Sequence, residues 1–198
     1  MMGGSNTKGL WARQYEQRPR AVYHDWGVEY EGPLRELIQD HMPRDRSVLE
    51  LGCGNAPLAE AMAADGYTDI TAIDFVGKVV ADGESHSRWP HAVRYQKMDA
   101  RKLELADQSF AGVIDRGTLD AIELESILDV RQACSEVARV LEPGGVFLVV
   151  SGKLPVPGME VNFADPAFGW SVEPHRLEAP DGDGFCYVYI MTKERGGV

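Results

Sequence analysis

A short glycine turn follows the first long apolar run of this chain. Residues 48–54 read Val-Leu-Glu-Leu-Gly-Cys-Gly, and a second apolar run, residues 70–73, ends at Asp74. The first run can be a buried parallel strand, and Gly52 and Gly54 let the backbone turn sharply beneath a ligand that a Cβ atom would obstruct. An acid at the end of the next strand can accept hydrogen bonds from both hydroxyls of a ribose. Together the two features indicate a nucleoside-containing cofactor.

The residues after the glycines help to decide between cofactors. The fingerprint for a dinucleotide pyrophosphate needs a third glycine where the helix packs closely, but residues 55–57 are Asn-Ala-Pro. Glu50 stands two residues before Gly52, and another acid, Asp99, follows a third apolar strand. This arrangement resembles the pattern of S-adenosylmethionine (SAM) methyltransferases. Two glycines alone could be no more than a strand-to-helix turn.

Alternating periodicities predict the framework that positions these residues. Strands are predicted at 47–52, 69–74, 92–97, 109–115 and 145–151, and helices at 55–65, 76–87 and 129–141. Right-handed crossovers then give a doubly wound α/β sheet, which binds ligands at the carboxyl ends of its strands. Two further strands, at 168–172 and 185–192, flank a turn-rich segment and form a hairpin.

The part of the chain before the sheet is predicted to hold two helices. One covers residues 10–18 and carries Trp11 and Tyr15 on one face at i, i+4 spacing, and the other covers residues 30–40. Residues 1–9 are rich in Gly, Ser and Asn, which predicts a disordered tail. Residues 10–198 are predicted to form a single domain, because they leave no room for a separate substrate domain.

Charge and composition exclude several classes of partner. The formal net charge of −11 argues against broad electrostatic binding to nucleic acid or to an anionic membrane, and leaves a basic protein surface or a neutral small molecule. No apolar stretch reaches the roughly 18 residues of a membrane helix. The three cysteines show no CxxC spacing, which predicts reduced thiols in a cytoplasmic protein. The five histidines are scattered, so we expect no metal site.

The most specific stretch is residues 110–121, which read Phe-Ala-Gly-Val-Ile-Asp-Arg-Gly-Thr-Leu-Asp-Ala. Together with Trp-x-x-x-Tyr at 11–15, Lys-Met-Asp at 97–99 and Tyr-Ile-Met-Thr-Lys at 189–193, this stretch resembles the methyltransferase-like group that includes elongation factor 1-alpha lysine methyltransferases. The resemblance covers residues 10–193. It implies a Rossmann-like, doubly wound, seven-stranded methyltransferase sheet whose last strand is antiparallel.

The resemblance also implies a set of residues that bind the cofactor. The aromatic residues of the N-terminal region would form a lid, Asp74 would hold the ribose, and Asp99 with Ala100 would contact the adenine edge. The full set is Trp11, Tyr15, Trp26, Gly52, Gly54, Asp74, Phe75, Asp99, Ala100, Asp115 and Arg116.

This sequence departs from the family pattern at two positions near the methionine end of the cofactor. Gln14 stands where the family has an arginine, and Arg116 stands where it usually has a lysine. A guanidinium can bind a carboxylate through two hydrogen bonds, so Arg116 can compensate for the missing arginine.

Simpler structural roles are open for several of these residues. Trp11 and Tyr15 could dock their helix on the core, and Asp74 and Asp99 could be helix caps or turn residues. Asp120 could cap a helix or face solvent. Position relative to the glycine turn favours ligand contact for Asp74 and Asp99.

The predicted activity is SAM-dependent methyl transfer, with a protein lysine as the first candidate acceptor. A lysine has a pKa near 10.4, so it must lose a proton before it attacks, and Asp115 or Asp120 could orient the ammonium or pass its proton to water. No Asn-Pro-Pro-Tyr or Asp-Pro-Pro-Tyr string follows the fourth strand, which argues against a nucleic-acid base as acceptor. A small-molecule acceptor, selected by residues 151–168, and a non-catalytic SAM-binding subunit are the alternatives.

Overall fold

The computed structural model describes residues 7–17, 30–56, 58–152, 163–178 and 185–195. Its strands are β1 (Val48–Leu51), β2 (Ile70–Asp74), β3 (Val93–Lys97), β4 (Phe110–Arg116), β5 (Leu141–Ser151), β6 (Trp170–Glu178) and β7 (Phe185–Lys193). They form one sheet in the order β3-β2-β1-β4-β5-β7-β6. Strands β1 to β5 run parallel, and β7 is antiparallel to both β5 and β6. The predicted doubly wound sheet with an antiparallel last strand is therefore confirmed.

Helices cover both faces of this sheet. They are α1 (Thr7–Gln17), α2 (Gly32–His41), α3 (Leu58–Ala64), α4 (Gly77–His86), α5 (Thr118–Glu123) and α6 (Ile127–Val140). The buried residues of α2, α3 and α4 belong to one apolar cluster, and those of α5 and α6 belong to a second. Because both faces are covered, β1 and β2 are buried along their whole length, which explains why most of their residues are apolar.

The chain leaves β1 in one direction and returns to its other side. β2 and β3 follow on one side of β1, whereas β4 and β5 lie on the other. This reversal is a topological switch point, where a crevice opens beyond the carboxyl ends of the strands. The segments that follow β1, β2, β3 and β4 therefore meet at one edge of the sheet.

Some elements differ from the sequence predictions. α1 begins at Thr7, so residues 7–9 are helical and not part of a tail; the Arg13 Nε donates to the Gly9 carbonyl one turn earlier, 3.0 Å away. α5 was not predicted, because six residues are too few to show helical periodicity. β6 continues to Glu178 because it pairs with β7 over its whole length, although its polar residues hide the strand pattern. No helix in the described ranges is long and apolar enough to cross a membrane.

Candidate functional site

The glycine turn after β1 lies between the beginning of α5 and helix α1. Gly52 and Gly54 both have positive φ, +56° and +52°. A Cβ atom on Gly52 would lie 2.0 Å from the Thr118 Oγ1, and one on Gly54 would lie 2.7 Å from the Tyr15 hydroxyl. The Thr118 hydroxyl also donates to the Leu51 carbonyl, at 2.9 Å. Both conformation and space therefore require glycine at these two positions.

Asp74, the last residue of β2, is held against this turn. Its Oδ2 accepts a hydrogen bond from the Gly54 N–H at 3.1 Å, and its Oδ1 accepts one from the Val76 N–H at 2.8 Å. The side chain is buried, and burial raises its pKa above the ordinary value, although the backbone N–H groups act in the opposite direction. The carboxylate is therefore fixed where the crevice begins.

A cavity that is open to solvent lies at this edge of the sheet. Six residues of the predicted cofactor set line it: Trp11, Gly52, Asp74, Phe75, Asp99 and Ala100. The strand ends thus bring together residues that are far apart in the chain.

The composition of the cavity wall fits an adenosine group. The buried Asp74 carboxylate can accept hydrogen bonds from ribose hydroxyls. Phe75, Met98 and Ala100 supply apolar surface for a purine ring, and Asp99 offers a carboxylate beside it. No group of three or more His, Cys, Asp or Glu side chains within the described ranges is arranged to hold a metal ion.

The aromatic residues of α1 lie against the cavity and the glycine turn. The Trp11 and Tyr15 rings stack with their centroids 6.0 Å apart, Trp11 lines the cavity, and Tyr15 covers Gly54. Trp26, the third predicted lid residue, lies outside the described residues. Arg116 ends β4, opposite Val150 of β5, and is not part of the cavity wall.

Asp115 is buried at the carboxyl end of β4 and caps the short helix α5. Its carboxylate accepts hydrogen bonds from the N–H groups of Thr118, at 3.1 Å, and Leu119, at 3.3 Å. These bonds favour the ionised form, but complete burial and the nearby charge of Asp120 outweigh them and raise the pKa of Asp115 to about 8. Folding therefore favours a protonated Asp115 at neutral pH.

We expect Asp115 to make the free energy of unfolding depend on pH. The folded protein keeps a proton that the unfolded chain releases, so the stability contributed by protonated Asp115 is fully present below about pH 4. It is then lost as the pH rises to about 8, at up to ~1.4 kcal/mol per pH unit. Denaturant unfolding between pH 4 and 9 should show that Asp115→Asn removes this contribution to the pH dependence of the free energy of unfolding. Leu119→Ala, a substitution in α5, should lower the free energy of unfolding at every pH without changing its dependence on pH. If the pH dependence were unchanged in Asp115→Asn, the prediction would be contradicted.

Asp120 lies on α5 and is bound by the end of β5. The Ser151 hydroxyl donates to its Oδ1 at 2.7 Å, and the Gly152 N–H donates to its Oδ2 at 3.2 Å. The side chain is buried and, like that of Asp115, is not part of the cavity wall. The two predicted catalytic acids thus lie close to the carboxyl ends of β4 and β5. Asp115 lies at the end of β4, and Asp120 lies on α5 and is bound to the end of β5.

Half of the cavity wall was not predicted. The additional residues are Met98, Arg101, Thr118, Ala121, Ile122 and Glu125. Met98 and Thr118 belong to the motifs that carried the family resemblance, so their places directly after β3 and β4 were a usable signal. The sequence carries no such signal for Arg101, Ile122 and Glu125, because these residues reach the cavity only through the packing of α5 and α6.

The sheet order, the antiparallel β7 and a cavity at the switch point with a buried acid at the end of β2 define the class I SAM-dependent methyltransferase fold. Residues 49–149 match the family model described as a methyltransferase domain. The chain belongs to this family of SAM-dependent methyltransferases.

Curated relatives share most of the chain. It is 30% identical over 197 residues to EEF1A lysine methyltransferase 4 of Bos taurus, which covers 92% of this chain and 74% of the relative. It is 35% identical over 201 residues to the eEF1A lysine and N-terminal methyltransferase of Mus musculus, which covers 93% of this chain but only 28% of that longer relative.

Solved structures show the same fold at lower identity. The 1,6-didemethyltoxoflavin-N1-methyltransferase of Burkholderia thailandensis, with bound S-adenosylhomocysteine (SAH), superposes with a TM-score of 0.74 at 16% identity, over 98% of this chain and 92% of its own. The N-methyltransferase NodS of Bradyrhizobium japonicum, also with SAH, has a TM-score of 0.69 at 18% identity, over 96% of this chain and 99% of its own. These structures share the fold, and membership of the SAM-dependent methyltransferase family makes SAM the cofactor of this chain.

Proposed function

We propose that this methyltransferase acts on the ε-amine of a lysine in a protein, with elongation factor 1-alpha as the first candidate. The observation that carries the proposal is the extent of the similarity to EEF1A lysine methyltransferase 4, which covers 92% of this chain. Such an acceptor would also place the enzyme in the cytoplasm.

The geometry of the cavity supports assigning its lining residues to successive parts of the cofactor. Adenine would lie between Phe75 and Ala100 with its amino group toward Asp99, and the ribose hydroxyls would bind Asp74. The methionine moiety would then lie over Gly52, toward the end of β4. Bound SAM supplies a methyl group that its sulfonium already activates, so the protein has to orient the acceptor and exclude water.

Other predicted residues complete the proposed site from its two sides. Trp11 and Tyr15 cover the glycine turn, which supports a role in closing the site, and we retain Trp26 as a third lid residue. Gly54 would permit close approach to the cofactor. We retain Arg116, which ends β4 outside the described cavity wall, as the residue that would receive the cofactor carboxylate, because its guanidinium can make two parallel hydrogen bonds.

The acceptor lysine must be neutral when it attacks, and Asp120 is the better placed acid to help. Its carboxylate is held by Ser151 and Gly152 at the end of β5, whereas Asp115 is committed to capping α5. A fixed carboxylate can orient the ammonium of the acceptor and pass its proton to water. Asp115, protonated at neutral pH, would keep the total negative charge beside Asp120 low.

We expect Asp120→Asn to lower kcat on the protein acceptor by about 100-fold, the lower end of the usual range for acid–base groups. The affinity for SAH should stay within a factor of about 3, because Asp120 does not line the cavity. Asp82→Asn, which removes one negative charge from the exposed ion pair with Lys78 on α4, is the matched control and should keep full activity. Unchanged turnover in Asp120→Asn would exclude Asp120 from the reaction.

The proposed function is tested by incubating the purified chain with SAM and recombinant elongation factor 1-alpha. Intact mass spectrometry should show additions of one methyl group, and peptide mapping should place them on a lysine. Elongation factor whose lysines have been blocked by acetylation, which turns each amine into a non-nucleophilic amide, is the control acceptor. Tight SAH binding without methylation of the factor would reject this acceptor and favour a small molecule.

A further inference from the structure

Arg101 lies on the cavity wall, two residues after the acid that would contact adenine. Its Nε donates to the Asp99 Oδ1 at 2.9 Å, and its Nη2 donates to the Asp99 Oδ2 at 2.8 Å. Its backbone N–H also donates to the Asp99 Oδ1, at 3.0 Å. The guanidinium and the carboxylate therefore form a two-bond, charge-assisted pair within one tight turn.

The opposite side of the same guanidinium binds the beginning of α6. The Arg101 Nη1 donates to the Asp129 Oδ2 at 2.6 Å and to the Glu125 Oε2 at 3.4 Å. The Arg101 carbonyl accepts a hydrogen bond from the Gln132 Nε2 at 2.9 Å. One arginine thus connects the segment after β3 to α6, across a sequence separation of 28 residues.

This arrangement fixes the direction in which Asp99 presents its oxygens. The Arg101 side chain is only 16% exposed, so water weakens its ion pairs less than those at the surface. The carboxylates of Asp99 and Asp129 raise the pKa of Arg101, which keeps the guanidinium charged. Without Arg101, the Asp99 carboxylate could rotate away from this direction.

We propose that Arg101 is a positioning residue that makes the cavity selective for a 6-aminopurine, because it holds the Asp99 carboxylate oriented toward the exocyclic amino group. The proposal rests on the placement of adenine beside Asp99 in the proposed function. A carboxylate accepts a hydrogen bond from an amino group but repels the 6-oxo group of hypoxanthine. A carboxylate that is free to rotate discriminates less, because its oxygens need not face the 6-position of the purine.

The test compares two ligands that differ only at this position, SAH and its deaminated analogue S-inosylhomocysteine. Calorimetry on the full chain gives the ratio of their dissociation constants. We expect Arg101→Ala to reduce the preference for SAH by at least ~10-fold, the value of a lost hydrogen bond to a charged group. Arg101→Lys should lie between wild type and Arg101→Ala, because it keeps the charge but loses the planar fork.

Arg139, which lies on α6, offers a matched control. It pairs with Asp107 and Glu136 at 2.6 and 2.9 Å, near the other end of α6 and away from the cavity wall. Arg139→Ala should therefore lower the thermal stability without changing the ratio of the two dissociation constants. If Arg101→Ala does not fold, Arg101→Lys carries the same comparison.

The outcomes separate the two proposals. Wild-type protein that binds neither ligand would contradict the proposed cofactor site. Wild-type selectivity that Asp99→Asn abolishes but both Arg101 variants preserve would overturn the role of Arg101 and leave the cofactor site in place. Selectivity that falls in the Arg101 variants and persists in Arg139→Ala supports the proposal.

Discussion

Gly52→Ala is expected to abolish measurable SAH binding. The residue has a φ of +56°, and its new Cβ would lie 2.0 Å from the Thr118 Oγ1. Thr118 cannot easily move, because its hydroxyl is bonded to the Leu51 carbonyl and its N–H to Asp115. The clash must therefore displace the turn or α5, and both line the cavity. We expect at least a 100-fold loss of affinity, measured by calorimetry.

Gly32→Ala separates this clash from backbone strain. Gly32 also has a positive φ, +47°, but nothing lies within 4 Å of the position that its Cβ would occupy. The substitution should cost only the ~1–2 kcal/mol of left-handed strain, visible in denaturant unfolding, and leave SAH affinity unchanged. If Gly52→Ala bound SAH within 10-fold of wild type, the glycine turn could not be the floor of the cofactor site.

Asp74→Asn is expected to weaken SAH binding by 100-fold or more. The carboxylate accepts from two backbone N–H groups, on Gly54 and Val76, and an amide has only one oxygen to replace its two. The new NH₂ group must therefore face a backbone donor or the ribose. We also expect a loss of about 1–3 kcal/mol of stability, the usual cost of an unsatisfied buried group.

Asp69→Asn is the matched control, because Asp69 lies directly before the opposite end of β2. Asp69 accepts from the Ser47 hydroxyl and from Arg94, far from the cavity wall. This variant should bind SAH like wild type. Retained SAH affinity in Asp74→Asn would show that Asp74 supports the turn but does not bind the ribose.

The strands could be predicted from sequence because their burial is nearly uniform. β1, β2 and β4 are covered on both faces, so their residues form apolar runs that need no knowledge of the partner elements. α5 and the second half of β6 could not be predicted. One is too short to show a period, and the other is an edge strand whose polar residues face solvent.

The residues of the cofactor site also fall into those that the sequence could predict and those that it could not. Gly52, Asp74 and Asp99 directly follow strands, and parallel strands bring their carboxyl ends together, so sequence position alone predicted their neighbourhood. Ile122 and Glu125 reach the cavity only because α5 packs at the end of β4. No local pattern in the chain indicates that packing.

By itself, the sequence determined the fold class, the glycine turn and the acids at the strand ends, because each depends on backbone conformation or on local burial. Only the tertiary structure decided which partner each side chain has. Asp120 binds Ser151 across 31 residues, and Arg101 binds Asp129 across 28. Such pairs depend on the distances between packed elements, which short-range sequence patterns do not encode.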